Sequence, residues 1–322
     1  MIISREQLEK LCGSGWAFAH ICELAGHASD RRFARVTLSG RSKIVVDSSR
    51  ERHKIAAYIS VSESLRTNGF SAPEVFAVDS DSGYLVVEDF GETTLGQATS
   101  EAGHARRMAC ASVLDILPEL HAIPRVPLLP DYSVDVLLAE LAIFTRWFCI
   151  ESGILDSSAC AAFLDEWRSV LAATSTIDLG RGFVHKDLHL DNLMWLGDRA
   201  PRRRVGFLDF QDAKYGSAVY DVVSLLDDPR YPLDAMHRRE LLARFARVCA
   251  TDVRDVLDEL YTVYSVQRSL KILGNIHYLA IRRRKKGFQR LIPPVLATIR
   301  RGIDLPTLRQ IKPHLEAAGL LD

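Results

Sequence analysis

An α+β fold is predicted, with a small antiparallel sheet and one main helix in the N-terminal part and helices through most of the rest. Three observations carry this expectation. Up to residue 88 the chain reads mainly as short β-branched runs separated by turn residues. From about residue 93 apolar residues recur at helical spacing. The helical part is interrupted by a strand–loop–strand passage over 183–210, which holds the most informative stretch of the chain, His185-Lys186-Asp187-Leu188-His189-Leu190-Asp191-Asn192.

Taken in order, residues 4–11 form a short helix with Ser4 as its cap. Ile21–Leu24 and Phe33–Leu38 are extended, with Gly26, Ser29, Asp30, Arg31 and Arg32 in the turn between them. Ser39-Gly40-Arg41-Ser42 turns the chain into the strand Lys43-Ile44-Val45-Val46. Helical spacing over 52–67 stops at Asn68-Gly69. Residues 74–79 and 84–88 pair as a hairpin around Asp81-Ser82-Gly83. Helices follow over 103–122, 133–151 and 157–174, with a linker at Pro124–Pro130. After the polar loop, helices are expected over 219–227, 234–248, 252–281, 286–301 and 305–318. The boundary between the two parts is placed near Phe90-Gly91-Glu92, giving residues 1–90 and 91–322.

Composition narrows the function class. The 322 residues suffice for one large domain or two lobes. Lys and Arg balance Asp and Glu at 41 each, so no global field attracts nucleic acid or an anionic membrane. The first residues lack a signal-peptide layout and the apolar runs are too short to span a bilayer, so the cytoplasm is the expected compartment. No obligate protein partner is evident. The six cysteines form no CxxC pair, so reduced, buried thiols are expected rather than a zinc site or disulfides.

The polar loop has the residues phosphoryl transfer needs. Asp187 can take a proton from a hydroxyl, and the amide oxygen of Asn192 can hold a metal ion. Asp209, 17 residues after Asn192 on the strand ending Phe207-Leu208, can hold the metal against nucleotide phosphates. The competing reading is that Asp187 and Asn192 only cap turns. An HxDxxxxN pattern followed by a hydrophobic-Asp-Phe strand is far more specific than either half alone.

The pair HKDLHLDN and FLDFQDA resembles the catalytic loop and metal-binding strand of the aminoglycoside phosphotransferase family, which has the bilobal protein-kinase-like fold. The similarity spans about residues 20–300. It implies a nucleotide-binding N-lobe, a catalytic and acceptor-binding C-lobe, and nucleotide between them. It implies Asp187 as catalytic base, Asn192 and Asp209 as Mg2+ ligands, and ATP as co-substrate. His185 resembles the structural histidine of that loop, and Asp221 the buried helix carboxylate that braces it. Ala28–Phe33, Leu208–Gly216, Tyr220–Leu226 and Gln267–Gly274 together resemble the bacterial anomeric kinases of N-acetylmuramate and N-acetylglucosamine. That resemblance implies transfer to the C1 hydroxyl of an amino sugar in peptidoglycan recycling.

The nucleotide side departs from the kinase pattern. The turn at 26–33 stands where a phosphate-covering loop belongs but carries one glycine, so Ser29, Arg31 and Arg32 are the candidates there. The third strand ends in Asp47 where a phosphate-bridging lysine is expected, and a swapped pair of Asp47 with Arg52 or Lys54 is one solution. Glu88 to Phe90 resembles the inter-lobe hinge that meets the adenine edge. Gln211 and Asp212 follow the metal ligand and are acceptor candidates. Arg268, Lys271 and Asn275 share a helix face, and a cationic face suits a carboxylate-bearing sugar. A solvated helix face is the competing reading. The basic clusters Arg282–Lys286 and Arg202–Arg204 read as solvated surface. Two alternatives stay open: an aminoglycoside phosphotransferase or other small-molecule hydroxyl kinase, and a catalytically silent nucleotide-binding regulatory module.

Overall fold

The computed structural model describes residues 2–24, 30–99, 103–175, 177, 180–249 and 254–321. The chain divides into two compact units. The first comprises Met1–Thr99, Ala122–Leu129 and His185–Ala213; the second comprises Ser100–His121, Pro130–Val184 and Lys214–Asp322.

The first unit starts with helix α1 (Arg5–Cys12), fixed by a reciprocal cap: Gln7 N–H donates to the Ser4 hydroxyl while Ser4 N–H donates to the Gln7 side chain. Strands β1 (His20–Leu24), β2 (Arg32–Leu38) and β3 (Arg41–Asp47) follow, then α2 (Ile55–Thr67), then β4 (Val75–Asp79) and β5 (Tyr84–Glu88). The five strands form one antiparallel sheet in the order β1-β2-β3-β5-β4. Alternation sends Ala34, Val36, Val45 and Val86 to one face, where they are buried with Ile2, Ile3, Leu8 and Trp16. Helix α2 buries Ile55, Tyr58, Val61 and Leu65. A four-residue helix, α3 (Leu95–Ala98), follows and was not expected; Thr94 and Gln97 cap it reciprocally.

The helical part comprises α4 (Gly103–His121), α5 (Val134–Phe144) and α6 (Ser157–Ser175). The helix expected over 133–151 changes character at its end, because Thr145–Ile150 widens into a π-helical turn. Strand β6 (Arg181–Val184) leads into the polar loop, and β7 (Leu193–Trp195) and β8 (Val205–Phe207) pair as a hairpin beyond it. A further strand, β9 (Lys214–Ser217), pairs antiparallel with β6. Its sequence, Lys-Tyr-Gly-Ser, has no apolar alternation; only the tertiary pairing makes it a strand.

The second unit closes with α7 (Val219–Leu226), α8 (Ala235–Val248), α9 (Arg254–Arg282), α10 (Ile292–Gly302) and α11 (Lys312–Ala317). Helix α9 is its axis: Leu257, Leu260, Val263, Val266, Leu270 and Leu273 are all buried. Gly274 permits the crossing with α5, since a Cβ there would stand 2.5 Å from the backbone nitrogen of Phe144. Cys110, Cys149 and Cys160 are buried as expected, whereas Cys22 is exposed. No described helix is long and apolar enough to cross a membrane.

Candidate active site

The polar loop and the segment from β8 to Asp209 belong to the same compact unit as the sheet, and one residue clamps them together. Leu208 donates its N–H to the carbonyl of Asn192 at 2.9 Å. Its own carbonyl lies 3.0 Å from Nε2 of His185. A carbonyl only accepts, so Nε2 carries the proton. His185 is completely buried, and the two bonds tie both ends of the loop to the residue preceding Asp209.

Inside the loop, Asn192 Nδ2 donates to the Asp187 carbonyl at 2.9 Å and lies 3.1 Å from His189 Nε2. The Asp187 carbonyl can only accept, which identifies this atom as the nitrogen and leaves the amide oxygen on the other arm of the side chain. Lys186 and Asp209 hold positive φ, at 77° and 61°. Left-handed backbone is rare for such residues and clusters at functional sites.

Around Asp209 the side chains form a closed ring. The buried guanidinium of Arg31 donates to Asp209 Oδ1 and, at 2.8 Å, to Gln211 Oε1. Gln211 Nε2 donates to Asp209 Oδ1 and to Asp212 Oδ2, each at 3.2 Å. Asp212 pairs with Lys54 at 2.9 Å, and Lys54 with Glu51 at 3.1 Å. Glu51 completes the ring, with its other oxygen 3.6 Å from Arg31 Nε: an ion pair, but too long for a hydrogen bond. Burial by itself would raise the pKa of Asp212. The Lys54 ammonium, helped by Gln211 and Lys186, outweighs burial and holds the carboxyl below its ordinary value.

The ring answers the third-strand question differently from the swapped pair. Asp47 accepts the N–H of Ser49 at 3.0 Å, and Lys54 goes to Glu51 and Asp212 instead. Lys43, on the same strand, lies over the rings of Trp16 and Phe76. The cation on Asp209 is Arg31, which stands just before β2. Arg32 is not brought to this cluster: strand alternation leaves it exposed, paired with Glu23 at 3.1 Å. Ser29 lies outside the described residues. Glu51 was missed by sequence reasoning, although its i, i+3 spacing to Lys54 was a legible signal.

At the end of the sheet, the N–H of Glu88 donates to Glu74 at 2.8 Å, and its carboxylate takes Arg199 at 2.6 Å. The ring of Phe90 lies under Arg199 and against Gly206, where a Cβ would come within 2.8 Å of it. Asp89 is locked by Arg35 through two bonds, of 2.6 and 2.9 Å, and by the N–H of Gly91 at 2.9 Å. Burial would raise the Asp89 pKa, but Arg35 and Gly91 outweigh it and lower it.

The remaining predicted residues lie in the second unit. Asp221 is fully buried at the start of α7, its carboxylate 3.3 Å from His121 Nε2. The expected cationic face on α9 divides in two. Lys271 is neutralised by Glu140 at 3.0 Å, which also accepts the Tyr132 hydroxyl at 2.7 Å. Arg268 is buried rather than solvated, at 5% exposure. Arg282–Lys286 and Arg202–Arg204 are exposed as expected.

The donor set fits a hard cation. Asn192 offers an amide oxygen and Asp209 a carboxylate whose ring bonds from Arg31 and Gln211 both go to Oδ1. No cluster of three or more His, Cys, Asp or Glu side chains that could cage a metal exists among the described residues. A site with two protein oxygens, completed by phosphates, is how Mg2+ is ordinarily held.

Comparison with known proteins points the same way. The chain is 31% identical over 288 residues to an N-acetylmuramate/N-acetylglucosamine kinase of Neisseria meningitidis, covering 86% of this chain and 84% of that one. It is 28% identical to a protein of the same name from Pseudomonas aeruginosa, covering 83% and 79%. Among solved structures, a choline/ethanolamine kinase family protein from Mesorhizobium loti matches at a TM-score of 0.67 and 16% identity, over 98% of this chain and 97% of that one. The ADP-bound aminoglycoside phosphotransferase APH(2'')-Ib matches at 0.60 and 15%, over 91% and 94%. These structural likenesses establish the protein-kinase-like fold. Residues 20–260, which hold the sheet, the clamped loop and the ring around Asp209, match the phosphotransferase enzyme family, and the chain belongs to it.

Proposed function

We propose that the chain transfers the γ-phosphoryl group of ATP to a hydroxyl of an amino sugar, C1 of N-acetylmuramate and/or N-acetylglucosamine, in cell-wall recycling. The observation that carries this reading is the Asp187–Asn192–Asp209 set, held in one frame by Leu208. The sugar is taken from the names of relatives that align over most of the chain. Both substrates are small and soluble, which suits the cytoplasm. The boundary between nucleotide-binding and acceptor-binding regions is placed near Phe90-Gly91-Glu92.

Asp187 orients the acceptor hydroxyl and accepts its proton. Asn192 and Asp209 would hold Mg2+, which when bound supplies charge neutralisation for the transferring group. Arg31 takes over the phosphate-facing charge that a third-strand lysine supplies in kinases, and Glu51 is its acidic partner. An arginine suits this place because its planar fork meets Asp209 and Gln211 together.

The test is ADP release with N-acetylmuramate, N-acetylglucosamine, choline and kanamycin as acceptors, for the natural chain and for Asp187→Ala and Asp209→Ala. Turnover with an amino sugar, abolished in both variants, is expected. Turnover only with choline or kanamycin refutes the acceptor; retained turnover in either variant refutes the roles.

A further inference from the structure

Gln211, two residues after Asp209, is 8% exposed and stands at the centre of the ring, inside the first compact unit. Its amide makes three bonds. Oε1 accepts from Arg31 at 2.8 Å, and Nε2 donates to Asp209 Oδ1 and to Asp212 Oδ2, each at 3.2 Å. A guanidinium only donates and an ionised carboxylate only accepts, so all three partners agree on which atom of the amide is the oxygen. The two hydrogens of the NH2 group go one to each carboxylate.

No other side chain of this reach can make all three bonds. Glutamate has the same length but would set a charged oxygen against both carboxylates. Lysine and arginine could not accept from Arg31. The ring already holds the carboxylates of Asp209, Asp212 and Glu51 against the cations of Arg31 and Lys54. A neutral amide bridges them without adding to the negative surplus.

The consequence falls on Asp209. Arg31 and Gln211 both meet its Oδ1, while Oδ2 receives no bond from a described residue. Two donors on one oxygen orient a carboxylate and leave the other oxygen to offer. The backbone of Asp209 is left-handed, at φ 61°. A non-glycine residue stays there only where its surroundings hold it, and these two bonds are part of that hold.

We infer that Gln211 is the positioning residue of Asp209 rather than a contact to the acceptor. It has this role only if Asp209 holds Mg2+, as proposed above. With both amide hydrogens spent on carboxylates, Gln211 has no donor left for a sugar oxygen.

The experiment titrates Mn2+, as a paramagnetic substitute for Mg2+, into the natural chain, Gln211→Met, Gln211→Ala and Asp209→Ala, with ADP present, and follows it by electron paramagnetic resonance. Both Gln211 variants are expected to bind Mn2+ roughly tenfold more weakly, the usual cost of losing a group that orients a metal ligand. Their kcat is expected to fall, with KM for N-acetylglucosamine unchanged within about twofold. Unchanged Mn2+ binding in the Gln211 variants overturns the role, and so does a KM for the sugar that rises as much as the Mn2+ constant. Circular dichroism checks folding; if neither Gln211 variant folds, the residue is structural and the role is overturned. Asp209→Ala separates this result from the parent reading. Weaker binding there with unchanged binding in the Gln211 variants removes the role of Gln211 alone, whereas unchanged binding in Asp209→Ala removes the metal-ligand reading and the role of Gln211 with it. If the natural chain phosphorylates neither sugar, the Mn2+ titration still decides.

Discussion

Asn192 donates its side-chain N–H to the backbone carbonyl of Asp187 at 2.9 Å, so the candidate metal ligand also holds the candidate base. One amide thereby serves two ends. Its nitrogen stiffens the loop from within, and its oxygen is turned outward by default. The clamp at Leu208 then ties this loop to the residue preceding Asp209.

Replacing Asn192 separates these duties. Asn192→Ala and Asn192→Asp are both expected to lower kcat by roughly 100-fold or more. Aspartate keeps an oxygen for the metal but sets an acceptor against the Asp187 carbonyl. If Asn192→Asp retains full kcat at saturating Mg2+, the hydrogen bond to Asp187 has no catalytic weight.

Arg31 and Arg32 are adjacent, and the structure gives them different fates. Arg31→Ala is expected to raise KM for ATP roughly tenfold or more, with KM for sugar little changed. Arg31→Lys falls between, because an ammonium cannot take Asp209 and Gln211 in one plane. Arg32→Ala, which loses only an exposed pair with Glu23, leaves both constants unchanged. Steady-state kinetics at saturating co-substrate checks all three, and equal effects from Arg31 and Arg32 would refute the division.

Asp89 carries a pH-dependent share of stability. Its pKa is lowered in the fold, so its contribution is present above the ordinary value of 3.8 and is lost as pH falls through the lower folded-state value. Asp89→Asn is expected to cost about 3 kcal/mol at neutral pH, since it leaves Arg35 without its carboxylate. The gap between variant and natural chain should narrow below pH 3.8. Urea unfolding on either side of that pH measures it; a gap independent of pH would count against the Arg35–Asp89 pair.

Thiol chemistry should follow burial. Cys22 is exposed and is expected to react first with a thiol reagent in the native protein. Cys110 is buried, and burial pushes its pKa up to about 12, so it reacts only on unfolding. Cys149 is raised further by burial and by its neighbour Cys160. Mass spectrometry of partly labelled protein gives the order, and early labelling of Cys110 would contradict the packing around α4.

The sequence by itself determined the α+β class, nearly every long element, and the order Asp187, Asn192, Asp209. These are local matters: apolar period sets strand and helix, and spacing along one loop sets which side chains lie together. The helix expected over 252–281 is seen at Arg254–Arg282 for this reason. Only the tertiary structure decided the rest. Strand β9 exists because β6 pairs with it, and Asp209 receives its cation from Arg31, 178 residues earlier in the chain. The same holds for charge. Arg268 and Lys271 look alike along the helix, yet Lys271 meets Glu140, 131 residues away, while Nε of Arg268 is buried with no hydrogen-bond partner among the described residues. A charge's partner is set by which helices are packed against it, and no period in the sequence encodes that.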